Sequence, residues 1–349
     1  MKRKLMCLLL FVTMISSMFV GCTGNNVETS GETPGEDSGG LDNPVELTIS
    51  LTAVSTDTHA KAMAEFKKYV EEKSNGNITV DLYTDATLFT QEEELVGVVA
   101  GDIDMTLTSA SWLTTNSPWI SMFTAGYIFN SYEHMTSVLN GEIGQEVFAK
   151  VAEEQGLIPL GAWYLGARQI SLSQDKAIKT PADLAGINLR MPNSDAWMFL
   201  GRALGANPTP ISFSELYLSL QTGVVDGQDN PLPTVESAKF YEVQNSITLT
   251  DHLIDSVWPA INPNTWNSLS DEQKQIVLEG IEVGREYCDT TNLQREAELV
   301  ALFKEQGVVI YEADKTAFAN HVLDQYLNNP ISDTWDMEIY EQIQKLANN

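Results

Sequence analysis

From residue 45 to residue 108 the chain alternates strand and helix patterns without a break, and this alternation constrains the fold more than any other feature. Val45-Glu46-Leu47-Thr48-Ile49-Ser50-Leu51 alternates apolar and polar side chains, the period of a strand with one buried face. A polar loop carrying His59 leads into a helix over 60–73, with Met63, Ala64, Phe66 and Val70 along one side. Asn75-Gly76-Asn77 turns the chain into a strand over 78–83, a helix over 91–100 follows, and Gly101-Asp102-Ile103-Asp104 leads to a strand over 105–108. Strand, helix, strand, helix, strand predicts an α/β fold with a parallel sheet. Ligands of such sheets sit beyond the carboxyl ends of the strands. The loops around His59, 85–89 and 109–112 are therefore expected at one cleft edge.

The remaining chain continues the mixture. Helices are expected near 131–139 and 144–155, and strands near 158–163 and 168–172. Thr180-Pro181-Ala182-Asp183 is a helix start, with Thr as N-cap and Pro at the first helical position. Ser212-Phe213-Ser214-Glu215 reads as a capping box for a helix that Gly223 ends. Strands near 247–249 and 256–261 cross back, and Ser270-Asp271-Glu272-Gln273 opens a long helix running to about Glu305. Gly307 stops it ahead of a strand over 308–311. With 349 residues the chain has room for two domains with separate cores.

Charge narrows the partners. There are 48 acidic against 20 basic residues, a net charge of −28, which repels nucleic acid and anionic membrane surfaces. It does not exclude an anionic ligand, because one arginine in a desolvated pocket outweighs a distant, salt-screened field. Residues 1–22 read as a signal segment: Lys2, Arg3 and Lys4, an apolar run over 5–20, then Met18-Phe19-Val20-Gly21-Cys22, which resembles a bacterial lipobox with Phe19 in the place usually held by Leu. Cys22 is the expected lipidation site, and the membrane is engaged through that lipid alone. Residues 23–44, rich in Gly, Ser, Thr, Asn and Glu, are expected to form a flexible tether. Of the other two cysteines, Cys7 lies in the signal and Cys288 stands alone as a small apolar residue, which leaves no disulfide and no metal cluster.

The chemistry is marked first by what is absent. The chain has no G-x-G-x-x-G, P-loop, H-E-x-x-H, C-x-x-C or G-x-S-x-G motif. Its four histidines, His59, His134, His252 and His321, lack metal-ligand spacing. No catalytic residue, metal or cofactor is therefore assigned. Asp226 and Asp229 form a close carboxylate pair within a polar turn, Asp226-Gly227-Gln228-Asp229-Asn230-Pro231, and a turn-stabilising role outweighs an acid/base one. Arginine is scarce: Arg3, Arg168, Arg190, Arg202, Arg285 and Arg295. Arg190 lies in an otherwise apolar strand between Ile187-Asn188-Leu189 and Met191-Pro192, and Arg168 starts another. A buried guanidinium needs a partner, either an internal carboxylate or a ligand carboxylate gripped by its planar fork. Trp112, Trp163, Tyr164, Trp197, Phe213 and Tyr217 mark the same zone and suit a sugar-like ligand as apolar platforms.

Four segments together are similar to the solute receptors of tripartite ATP-independent periplasmic (TRAP) transporters. They are Thr180-Pro-Ala-Asp-Leu-Ala-Gly-Ile-Asn-Leu-Arg190-Met-Pro-Asn193, Leu204-Gly-Ala-Asn-Pro-Thr-Pro, Phe213-Ser-Glu-Leu-Tyr-Leu-Ser-Leu-Gln-Thr-Gly, and Val225-Asp-Gly-Gln-Asp-Asn230-Pro. The resemblance runs from about Val45 to the C-terminus and departs from the usual pattern at Asp229, where Glu is common. It implies a two-lobed, type II periplasmic-binding-protein fold with a long helix crossing both lobes. The implied lobes are discontinuous, 45–166 with 254–296 and 167–253 with 297–349.

The resemblance also implies roles for residues. Arg190 pairs with the substrate carboxylate, Arg168 assists, Asn230 contacts the ligand, Phe213 lies against it, and Asn193, Trp112 and His59 line the cleft. The implied partners are a small organic acid and a membrane permease driven by an ion gradient. The segments 163–169 and 240–244 look like those of sugar-acid receptors, which makes a hexuronate such as glucuronate or galacturonate the expected ligand. C4-dicarboxylates, keto-sugar acids and sialic acid remain alternatives. So does a hydrolase or lyase using Asp226 or Asp229 on an acidic sugar, or a tethered ligand sensor.

Overall fold

The computed structural model describes residues 41 and 43–347; the signal segment 1–22, with Cys22, and the tether up to residue 40 lie outside the described residues. The ordered chain reaches back before Val45. Leu41 packs against an apolar cluster, and Gln273 Nε2 donates to the Asn43 carbonyl at 2.7 Å.

The opening alternation folds as its pattern dictates. Strand β1 (Val45–Ser50) pairs in parallel with β2 (Ile78–Tyr83) and β3 (Met105–Thr108). Helix α1 (Thr58–Lys73) and helix α2 (Gln91–Ala100) connect them. Helix α1 starts earlier than expected because Asp57 caps it, accepting from the His59 backbone N–H at 3.0 Å. His59 therefore belongs to the first helical turn and not to a loop. The segment after β3 also forms a short helix, Ala110–Leu113.

A strand of 10 residues, Trp163–Leu172, replaces the two short ones expected near 158 and 168, although a two-residue strand remains at Ile158–Pro159. It runs antiparallel to Ile254–Ile261, and this pair joins β3 on one flank of the sheet to Gly227–Pro231, Asn188–Met191 and Asn207–Pro210 on the other. The pairing slips at Asp255/Ser256, opposite Gly166 and Tyr164. Gly166 has φ +133°, and a Cβ there would lie 2.5 Å from Pro231 and 2.8 Å from Glu296. No other residue fits that conformation and that space without displacement.

The 35-residue helix Asp271–Glu305, about 50 Å long, begins and ends where its capping box and Gly307 predict. It grips the crossing strand through one polar stripe. Asp289 Oδ1 accepts from the Tyr164 backbone N–H at 2.7 Å, and Asn292 Nδ2 donates to the Tyr164 carbonyl at 2.8 Å. Glu296 accepts from the Ala167 backbone N–H at 2.6 Å and from the Tyr164 hydroxyl at 2.8 Å. The same helix contributes Ile276, Val277 and Ile281 to the core beneath β1 and α1, and Leu299 and Phe303 to a separate core with Leu216, Phe240 and Ile247. One helix thus packs into both flanks of the sheet, in keeping with a two-lobed fold.

Candidate functional site

The segment 226–231 corrects the reading of a polar turn. Gly227–Pro231 is a fully buried strand, antiparallel to Trp163–Leu172 on one side and parallel to Asn188–Met191 on the other. Its polar side chains stay buried because neighbours bond them: Gln228 Nε2 donates to Ser171 Oγ at 2.7 Å, and Asn230 Nδ2 donates to Gln228 Oε1. Asp226 and Asp229 do not form a dyad. Asp226 accepts from the Asn188 backbone N–H at 2.8 Å, whereas Asp229 faces Arg168 and His252.

Arg168 is 5% exposed and held by several partners. Its Nε donates to Asp255 Oδ2 at 2.7 Å, and its NH1 donates to the Asp229 carbonyl at 3.0 Å. The same NH1 lies 3.4 Å from both Asp229 Oδ2 and Asn230 Oδ1, and the guanidinium rests 4.2 Å from the Trp197 ring centre. Asp229 also accepts from His252 Nε2 at 3.2 Å. Burial pushes the Asp229 carboxyl up, but Arg168, His252 and Arg190 outweigh it and hold it below the usual carboxylate value.

Arg190, 1% exposed, is the opposite case. Its Nε donates to the Ile211 carbonyl at 2.8 Å, and among the described residues it forms no salt bridge. Burial lowers its pKa to about 10, a measure of how poorly its charge is compensated.

Both arginines border one cavity of about 100 Å³, enough for several water molecules or a small organic molecule. Asn230, Phe213, Trp112 and His59 border it too. Asn193 does not; it is exposed, beyond the end of the arginine strand. Phe213 opens the helix Phe213–Gln221 and packs edge-on to Phe240 at 5.7 Å. The capping box expected at Ser212 is not formed: its hydroxyl donates instead to Glu92 at 2.9 Å, on the opposite side of the cavity. A second bond across the same gap joins Ser237 Oγ to Asp57 Oδ2 at 2.7 Å.

His59 Nδ1 lies 2.5 Å from Asp57 Oδ1. Burial opposes its protonation, but Cys288 and Asp57 more than reverse this, and the ring sits well above its ordinary pKa. The buried Cys288 thiol is itself pushed up by burial.

Sequence reasoning missed further cavity-lining polar residues, among them Glu94, Thr52, Thr108, Asp57, Gln91 and Asp255. Glu94 is 3% exposed, takes hydrogen bonds from Ser50 Oγ at 3.2 Å and Thr106 Oγ1 at 3.3 Å, and has no cation in salt-bridge range among the described residues. Burial pushes its carboxyl up to about 8. In the sequence it is the last acid of Gln91-Glu92-Glu93-Glu94, which reads as the ordinary acidic first turn of a helix.

The family described as "Bacterial extracellular solute-binding protein, family 7" matches residues 49–332. The chain belongs to this family. A TRAP periplasmic solute-binding protein of Roseobacter denitrificans, solved with bound 3-deoxy-D-manno-oct-2-ulosonic acid, superposes with a TM-score of 0.83 at 41% identity, covering 87% of this chain and 100% of that one. Another from Roseobacter denitrificans, with bound β-D-glucuronate, gives 0.78 at 32% identity over 86% of this chain and 99% of its own. A C4-dicarboxylate-binding protein of Bacillus subtilis is 30% identical over 317 residues, 89% of each chain. The family 7 chain described here is thus a solute receptor of the TRAP class with an α/β, two-lobed fold, and its relatives are extracytoplasmic transport proteins rather than enzymes.

Proposed function

We propose that this family 7 receptor binds a carboxylated sugar between its lobes and delivers it to an ion-gradient-driven TRAP permease. The observation that carries the reading is Arg190, a buried guanidinium with no salt bridge among the described residues, at the wall of a small cavity. It grips the ligand carboxylate through two parallel hydrogen bonds. Arg168, held rigid by Asp229, Asp255 and Trp197, adds positive potential beside it, and its partner Asn230 and the Phe213 ring complete that wall. His59 and Trp112 line the remainder. The lobes are 45–166 with 254–296 and 167–253 with 297–349. Closure is a hinge motion, selected because the closed state makes more contacts with the ligand. Bonds such as Ser212–Glu92 and Ser237–Asp57 belong to that closed state. The chain is exported by its signal segment and anchored through a lipid on Cys22.

A hexuronate such as glucuronate or galacturonate is the preferred ligand class, a reading supported by the glucuronate-bound neighbour. A keto-sugar acid is a second reading, favoured by the 41% identical neighbour holding an octulosonic acid. A thermal-shift screen of the domain after Cys22 separates them, because a ligand at 100 times its Kd adds about 2.7 kcal/mol of stability. A shift with one uronate or keto-acid class and no product on long incubation supports the receptor. No shift with any acid, or consumption of one, overturns it.

A further inference from the structure

Resting on the carboxylated-sugar reading, we propose that Glu94, Thr52 and Thr108 form a hydroxyl-recognising subsite opposite Arg190. This subsite makes the receptor select acids with one carboxylate and a hydroxylated far end, against dicarboxylates and against deoxy acids of the same length.

The charges around the cavity carry the argument. Its lining contains two arginines, one histidine and three carboxylates. Arg168 is neutralised by Asp255 and Asp229, and His59 by Asp57. Among the described residues of the lining, that leaves Arg190, which has no salt bridge and feels Asp229 and Glu92 only at longer range, and Glu94, which has no cation in salt-bridge range. A first ligand carboxylate has Arg190 to meet. A second, on the α2 side, would find no free cation there, and an uncompensated buried charge is strongly unfavourable.

Hydrogen bonding on that side points the same way. Thr108 Oγ1 lines the cavity, is buried and has no hydrogen-bond partner among the described residues, and the Thr52 hydroxyl lies beside the Glu94 carboxyl at the same wall. Buried polar atoms are normally satisfied, so an unpartnered hydroxyl beside a second hydroxyl and an unpaired carboxyl fits a ligand that brings hydroxyls. Glu94 suits a hydroxyl in the same way. With its carboxyl pushed up to about 8 by burial, at neutral pH it offers both an O–H donor and an acceptor oxygen. The groups around it are Ser50 on β1, Thr52 just after it, Thr106 and Thr108 on β3, and Glu92 on its own helix, none of them a cation.

The test is calorimetric titration of the domain after Cys22 with paired probes: gluconate against glucarate, galactonate against galactarate, and hexanoate as the deoxy acid. Each pair shares one skeleton and differs only in the second carboxylate. The expected result is that at least one hexonate binds about 100-fold or more tightly than its hexarate and than hexanoate. Thr108→Val and Thr52→Val should each weaken the hexonate about tenfold, and Thr108→Val should raise the melting temperature of the free receptor, because it removes an unpartnered buried hydroxyl. Equal affinity for hexonate and hexarate overturns the subsite and leaves the receptor reading standing. So do threonine variants that leave hexonate affinity unchanged. Binding of none of these acids, with no response in the wider thermal screen, overturns both.

Discussion

Two buried arginines face the same cavity in opposite electrical surroundings. Arg168, on the strand that crosses between the flanks, has two carboxylates, a backbone carbonyl and an indole face around it. Arg190, on the short parallel strand beside it, donates to one backbone carbonyl and forms no salt bridge among the described residues. The carboxyls repeat the contrast. Asp229, set among Arg168 and His252, is held below its usual pKa, whereas the unpaired Glu94 is pushed up to about 8. Burial alone therefore does not mark a binding group. A buried charge with partners inside the chain is part of the fold's own structure. A buried charge without them is tolerated at the expense of the rest of the fold, and a ligand that relieves it gains affinity.

The largest expected effect breaks the comparison on the Arg190 side. Arg190→Met should reduce sugar-acid affinity about 1000-fold, in the range for losing a buried charge-assisted pair, while leaving the free receptor as stable or more so. Titration and thermal melts on the same preparation check both halves. Unchanged affinity would sink the pocket assignment. Arg168→Met is the mirror experiment. It strands Asp229 and Asp255 and should destabilise the free receptor by about 3–5 kcal/mol, read as a lowered denaturation midpoint. A stable Arg168→Met variant would mean that the cluster is not structural.

The carboxyls sharpen the contrast through pH, with smaller effects. Asp229 has a depressed folded pKa, so its contribution is present above the unfolded value near 3.9 and is lost as pH falls through the folded value. Melts from pH 5 down to pH 2 should lose less stability in Asp229→Asn than in the native chain. Glu94 runs the other way. Its folded pKa lies above the unfolded one, so the folded state binds the extra proton and stability declines as pH rises from about 4.3 to about 8. Glu94→Gln should flatten that decline and do nothing below pH 4. The same slope in both proteins would show that Glu94 is better solvated than its surroundings imply.

Much of the fold was legible because its signals are local. The bounds of α2, β3 and the long helix follow from period, capping residues and glycine stops. The capping box at Thr180 forms as expected, although it opens a 3-10 turn rather than a longer helix. The strand Gly227–Pro231 is hidden in the sequence because Gly227, Asp229, Asn230 and Pro231 favour turns, and only pairing on both edges overrides that preference. His59 looks like a loop residue in the sequence because the polar run before Ala60 masks the helix cap at Asp57. The Ser212 box failed because a carboxylate across the cavity, Glu92, took the hydroxyl.

The sequence by itself determined the order of strands and helices, the apolar setting of Arg190 and Arg168, and through four combined segments the family. These are properties of short windows, where side-chain period and backbone preference act between near neighbours. Only the tertiary structure decided which arginine is paired. Asp255 lies 87 positions from Arg168 and reaches it because their strands are adjacent in the sheet. Likewise Glu94, one acid in a helix's acidic first turn, becomes a buried unpaired carboxyl only when Ser50 of β1 and Thr106 of β3 close around it. Charge compensation is a sum over everything nearby in space, and sequence neighbours supply only a small part of that sum.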